Sequence, residues 1–194
     1  MSDLQVSPAD YAATWGLPVL TGQARAQPYR LKEWTGATNV CTPVALARLL
    51  RPTASPAEGR ALMETLLPTA RRWGWHPKIG TFFFTVGAMA RAFGRRLGSP
   101  VRPKTRLAFG PLGRRGAQAL IRRQLDTASG VMLSTLWGPW PRHSMVITGY
   151  QVYRGGAVLV HIQDGWRHRG QWVDFQSLCQ QTPVTLTSLC PIQD

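Results

Sequence analysis

Between Cys41 and Leu50 the apolar positions Val44, Leu46, Ala47, Leu49 and Leu50 recur at helical spacing. Pro43 suits the first turn of such a helix, where a backbone N–H has no partner to lose, and Pro52 predicts its end. Ser55-Pro56-Ala57-Glu58 is a capping box with proline at the first helical position. It predicts a second helix that runs to Leu67 and is closed by Pro68. Thr81 predicts the cap of a third, over 82–93, with Phe83, Val86, Met89 and Ala90 on one face and Gly94 marking its end. The spacing returns from Gly116 to Leu125, where Ala119, Leu120 and Ile121 are apolar and Arg122 and Arg123 point outward. Residues 1–30 read as an irregular N-terminal arm with a short helix over 7–15, and residues 31–194 as one domain. The Pro- and Gly-rich segment 91–111, past its helical start, reads as loop.

From Gly130 the period changes from helical to alternating. VMLSTLW, SMVITGYQVY and AVLVHIQ are β-branched and aromatic runs separated by GPWPR and RGG, which predicts strands joined by turns. Helices first and strands second is an α+β pattern, with N-terminal helices packed on a C-terminal antiparallel sheet. For the hairpin of the last two runs one register opposes apolar residues throughout: Met145 to Ile162, Ile147 to Val160 and Gly149 to Val158. That register sets His143 beside Asp164 on the face turned toward a helix.

Composition narrows the classes. With 194 residues, 44% hydrophobic, and eight Trp, the chain can bury a substantial core, which excludes disorder throughout. No apolar run approaches the length of a membrane span. The N-terminal residues lack a basic start followed by an apolar block, so the expected compartment is the cytoplasm, with non-classical export left open. The formal charge is +14, with twenty Arg and three Lys, which favours polyanions or acidic surfaces unless it reflects Arg-rich codon usage. Residues 91–123 hold ten basic and no acidic side chains. Arg95, Arg96, Arg114, Arg115, Arg122 and Arg123 are candidates for weak polyanion binding, although the stretch is poor in aromatic side chains that would stack on bases.

Cys41 stands just before a predicted helix, where unpaired N–H groups and the dipole favour a thiolate, although a lone cysteine also serves as a small buried hydrophobe. An imidazole at His143 with a carboxylate at Asp164 is the arrangement that a thiol nucleophile requires. Three cysteines without a secretory signal argue against a disulfide framework, and Cys179 and Cys190 read as inert thiols. No Cys-x-x-Cys pair or helically spaced His pair points to a metal, and no phosphate-cradling Gly-rich loop points to a nucleotide, so no cofactor is expected.

TNVCTPVALARLL, RHSMVITGY and VHIQDGW, in this order, resemble the Cys, His and Asp blocks of papain-like cysteine peptidases. The likeness is strongest to a bacterial branch similar to the bacteriocin-leader peptidases. It implies Cys41 as nucleophile, His143 as general base and acid, Asp164 as orienter, and a peptide or protein substrate. Two positions depart from the family pattern. Thr42 follows the cysteine where Gly is usual, and Thr35 stands where a Gln would donate to the oxyanion. Asn39, with the Cys41 backbone N–H, is the substitute oxyanion donor, or else a turn residue in Gly36–Asn39. If neither Asn39 nor Gln27 or Gln23 reaches the site, activity is low or absent. Trp166 is expected to shield the imidazole or to pack in the core, and Trp137 and Trp140 to wall a cleft for an apolar side chain. Three functions therefore compete: a cysteine-dependent hydrolase or acyltransferase on peptide or amide bonds, an inactive papain-like binding module with a basic surface, and a cell-wall amidase or endopeptidase.

Overall fold

In chain order, the computed structural model, which describes residues 4–192, begins with helix α1 (Pro8–Trp15), strand β1 (Leu20–Gln23) and helices α2 (Leu31–Trp34), α3 (Cys41–Leu50) and α4 (Pro56–Arg72). Two short strands, β2 (Trp75–His76) and β3 (Gly80–Thr81), form a hairpin, and a 3-10 turn (Phe83–Thr85) leads into α5 (Val86–Arg96). Strand β4 (Val101–Ala108) and helix α6 (Arg114–Asp126) precede β5 (Val131–Thr135), β6 (His143–Val152), β7 (Val158–Gln163) and β8 (Gln171–Asp174). Helix α7 (Phe175–Gln181) and β9 (Val184–Pro191) complete the order. The main sheet runs β4-β9-β5-β6-β7-β8, and β1 adds to the far half of β6; all pairings are antiparallel.

The sheet separates two cores. Met132, Val146 and Leu189 face one core with α2 to α5, where Trp34, Leu46, Met63, Leu66 and Phe93 are fully buried. Val131, Leu133, Met145, Ile147, Val160 and Ile162 face the other, with Ile121 and Leu125 of α6 and Leu178 of α7. Alternation along β5 and β6 decides this, because successive side chains leave opposite faces. The Met145 and Ile147 face was expected to receive the cysteine-bearing helix. Instead α3 packs on the Val146 face, and the Met145 face is covered by the second helical layer.

Several expected boundaries shift. Strand β1 extends the sheet, so residues 4–30 are not an irregular arm, while α1 forms where a short helix over 7–15 was expected and packs Tyr11 on Tyr153, with the Tyr11 hydroxyl donating to Asp174. Residues 1–3 lie outside the described residues. The Ser55 box forms as expected, with the Ser55 N–H donating to Glu58 Oε2 at 2.7 Å. Pro68 does not end α4, which continues to Arg72 because the added turn buries Ala70 beside Leu66 and Met63. The segment after Thr81 opens as a 3-10 turn rather than an α-helix, and Gly94 lies inside α5, where the absent Cβ lets Ser99 and Val101 fold back against it. The basic stretch read as loop contains edge strand β4; Pro103 is tolerated there because an edge strand needs hydrogen bonds on one side only.

The β6–β7 hairpin also differs from the expected register. Val146 faces Gln163 and Ile147 faces Ile162, then a bulge at Thr148 shifts the ladder so that Gly149 faces His161 and Val152 faces Val158. The slip is two residues before the bulge and three after it, and it still opposes Ile147 to Ile162 and Val152 to Val158, so matching hydrophobicity does not detect it. The turn decides: it centres on Gly155 and Gly156, whose φ values of 83° and 85° lie where glycine is favoured.

Candidate active site

Helix α3 begins at Cys41 with an N-cap, Val40, that offers no side-chain acceptor, and its third residue, Pro43, has no N–H. The first hydrogen bond of the helix runs from the Val44 N–H to the Val40 carbonyl. Cys41 and Thr42 are therefore the two residues of the first turn whose N–H groups are left outside the helical ladder. Around the Cys41 sulfur stand the His143 ring and the backbone N–H groups of Thr42 and Ser144. Burial raises the Cys41 thiol, but the hydrogen bond and charge of His143, followed by the two backbone donors, outweigh it and hold the thiol below its ordinary range. Cys179, by contrast, is pushed up to about 12 by burial.

His143 opens β6, and its Nε2 lies 2.6 Å from the main-chain carbonyl oxygen of Asp164. A carbonyl only accepts, so Nε2 is the donor to it and Nδ1 is the ring nitrogen left for the sulfur. The Asp164 carboxylate is engaged elsewhere: Oδ1 accepts from the N–H groups of Trp166 at 2.9 Å and Arg167 at 3.1 Å. Gly165, between them, has φ of 74°, and a Cβ there would sit 2.9 Å from both Tyr29 and Leu31. The carboxylate thus shapes the turn, and the turn's carbonyl holds the imidazole. His143 and Asp164 meet as expected, but through the backbone and not as directly opposed strand partners.

The Trp166 indole stacks on the His143 ring, with centroids 4.2 Å apart and planes at 27°, while remaining 53% exposed. It is a cover over the imidazole rather than a core residue. Trp140, expected to wall a cleft, is 4% exposed and packs in the α6–α7 core. The carbonyl of Trp140 accepts from Thr135, which folds the 136–142 loop inward and carries the ring with it. Trp137 turns toward α7, where its Nε1 donates to the Gln181 carbonyl at 3.0 Å and its ring meets Phe109 edge-on. Asn39 has a left-handed φ of 53°, and its Nδ2 donates to the Pro77 carbonyl at 2.7 Å. Its own carbonyl accepts from Trp75 Nε1 at 2.8 Å. Asn39 thereby fastens the β2–β3 hairpin to the loop that delivers the cysteine. Gln23 pairs with Gly149 in the sheet, and the backbone of Gln27 holds Arg48 and Pro52.

Two features were missed. Arg142, immediately before His143, holds a left-handed φ of 50°, and its carbonyl is 4.0 Å from Cys41 Sγ. A buried chain of hydroxyls runs from Thr42 Oγ1 to Ser144 Oγ at 2.7 Å and on to Ser134 Oγ at 2.8 Å. The signal in the sequence was a small hydroxyl residue directly after each of the two candidate residues, Cys41-Thr42 and His143-Ser144. Among the described residues no three His, Cys, Asp or Glu side chains gather as a metal site. No described helix is long and apolar enough to cross a membrane.

No protein-family model matches the chain, and no curated protein matches it in sequence. Among solved structures, UfSP from C. elegans superposes over 100% of this chain at a TM-score of 0.55 and 11% identity, and this chain spans 38% of that one. The Pseudomonas avirulence protein AvrPphB superposes over 82% of this chain and 99% of its own at 10% identity, where a TM-score of 0.41 carries no argument. The likeness to UfSP is one of fold alone, an α+β arrangement with helices packed on an antiparallel sheet.

Proposed function

We propose that the chain is a cysteine-dependent hydrolase acting on a peptide or amide carbonyl, with Cys41 as nucleophile and His143 as the base that serves it. One observation carries the reading. At the uncapped start of α3 the Cys41 thiol, held below its ordinary range, stands beside the His143 ring, whose Nε2 is tied to the Asp164 carbonyl. In the first step Nδ1 takes the thiol proton and the sulfur bonds to the carbonyl carbon, whose oxygen becomes an oxyanion. The Cys41 N–H, with no place in the helical ladder, is its donor. The C–N bond then breaks as His143 returns the proton to the leaving amine. Water, deprotonated by His143, attacks the thioester and releases the acid and the thiol. An amine in place of water would make the same site an acyltransferase. The three-motif resemblance to bacteriocin-leader peptidases supports a peptide substrate.

A second reading is favoured by Asn39, whose amide is engaged at Pro77 and so supplies less to an oxyanion than a free side chain would. On that reading the thiol is activated but turnover is minimal, and the chain is a papain-like binding module. Labelling with iodoacetamide between pH 5 and 9 tests the first claim. Because the thiolate is the reactive form, a thiol held below its ordinary range keeps reacting at pH values where free cysteine is protonated. Cys41 is expected to outpace free cysteine at pH 6 by about tenfold or more, and His143→Ala to remove the advantage. A Cys41 that never reacts faster than free cysteine sinks both readings of the thiol. Mass spectrometry of a mixed peptide library incubated with the protein separates them: cleavage that Cys41→Ala abolishes marks the enzyme, and labelling without cleavage marks the binding module.

A further inference from the structure

We propose that Thr42 and Ser144 form a positioning pair, a buried hydroxyl clamp that fixes the start of the nucleophile helix against the start of the histidine strand and so sets the approach of Cys41 to His143. The proposal rests on the reading of Cys41 and His143 as a reactive pair. Thr42 follows Cys41 in α3, and Ser144 follows His143 in β6; their oxygens are 2.7 Å apart, and the residues are 6% and 4% exposed. Ser144 is also joined to Ser134, its direct partner across the β5–β6 ladder, at 2.8 Å. The clamp is therefore anchored in the sheet rather than in a loop.

Elsewhere α3 meets the sheet through apolar side chains such as Val44 and Val146, which tolerate sliding because dispersion contacts are non-directional. A hydroxyl pair does not tolerate it. Desolvated oxygens are satisfied only within a narrow distance and angle, and a shift leaves the Thr42 hydroxyl unpaired. The polar link thus specifies one longitudinal position of α3 on β6. The residues it joins are each one peptide from a reacting side chain, so the same position sets Cys41 against His143. This also accounts for Thr at a position where resembling peptidases carry Gly: glycine could not reach Ser144.

The test compares Thr42→Val, which keeps the shape and removes the hydroxyl, with Thr42→Ser, which keeps the hydroxyl, and with Ser144→Ala. The readouts are the pH profile of iodoacetamide labelling at Cys41 and the thermal midpoint. Thr42→Val and Ser144→Ala are expected to move the labelling profile to higher pH and to slow labelling at pH 6 about tenfold, while Thr42→Ser stays within about threefold of the parent. Combined with His143→Ala, Thr42→Val should add little further loss, because the clamp acts through the imidazole. A Thr42→Val or Ser144→Ala protein that melts earlier but keeps the parent pH profile overturns the clamp and leaves the cysteine reading standing. A parent protein whose Cys41 is no more reactive than free cysteine overturns the functional reading first, and the clamp with it. Should Thr42→Val not fold, the Ser144→Ala profile decides.

Discussion

Asp164 holds His143 with its backbone and the 165–167 turn with its carboxylate, and substitutions can separate the two tasks. Asparagine keeps an acceptor oxygen for the Trp166 and Arg167 N–H groups and leaves the carbonyl in place. Asp164→Asn is therefore expected to keep labelling and turnover within about tenfold of the parent, against the roughly 10⁴-fold loss seen where a carboxylate itself orients the imidazole. Asp164→Ala, which frees both N–H groups, should lose about 1–3 kcal/mol of stability and misplace the carbonyl, a larger kinetic defect than Asp164→Asn. Equal and severe losses for both substitutions would return the orienting role to the carboxylate. The sequence alone implied that carboxylate role, because a hairpin register speaks of side chains and is silent about which oxygen of a residue is used. Trp166 adds a second residue-level test. Its stacked indole excludes water from one face of the imidazole, so Trp166→Ala should lower turnover with little change in thermal midpoint, since the side chain is half exposed.

Elements place these residues through backbone conformations that ordinary side chains resist. Asn39 and Arg142 precede Cys41 and His143 in left-handed turns, and Gly165 follows Asp164 in a third. At Gly165 both φ and the contacts with Tyr29 and Leu31 exclude a Cβ, so Gly165→Ala should cost about 2–4 kcal/mol by thermal or urea unfolding. It should also release α2, whose Leu31 N–H donates to the Gly165 carbonyl at 2.8 Å. What was legible at this scale follows from the same physics. Helix α3 and the Ser55 box were readable because caps, prolines and period are local. The Pro68 continuation, strand β1 and edge strand β4 were not, because burial against distant residues overrides a local stop signal or a polar composition. The true register escaped because a slip of two residues before the Thr148 bulge and three after it still opposes apolar residues, as at Ile147–Ile162 and Val152–Val158, while the glycine pair at 155–156 marked the true turn.

At the scale of the molecule, excess positive charge is divided by the sheet. Arg95 and Arg96 lie at the end of α5 and line, with Arg72, a groove of about 730 Å³ against α4. Arg114, Arg115, Arg122 and Arg123 belong to α6 on the opposite face, where Arg123 lines, with Lys104 and Arg106, a groove of about 790 Å³ against β4. The six arginines considered together from the sequence therefore do not converge on one surface. A short rigid duplex can engage one face at a time, so for such a duplex the two grooves would be alternative weak sites rather than one strong one. Replacing Arg95 and Arg96 by Gln should then lower the apparent affinity for a 20-base-pair duplex only about twofold, because the α6 face still binds, and the salt slope should barely change. The reciprocal replacement of Arg122 and Arg123 should behave alike, and the loss should become large only when both faces are altered. Fluorescence anisotropy between 50 and 200 mM salt measures both quantities. A single pair whose removal lowers the logarithmic salt slope by nearly two, as expected for two phosphate contacts made at once in one continuous site, would show that one face carries the binding alone.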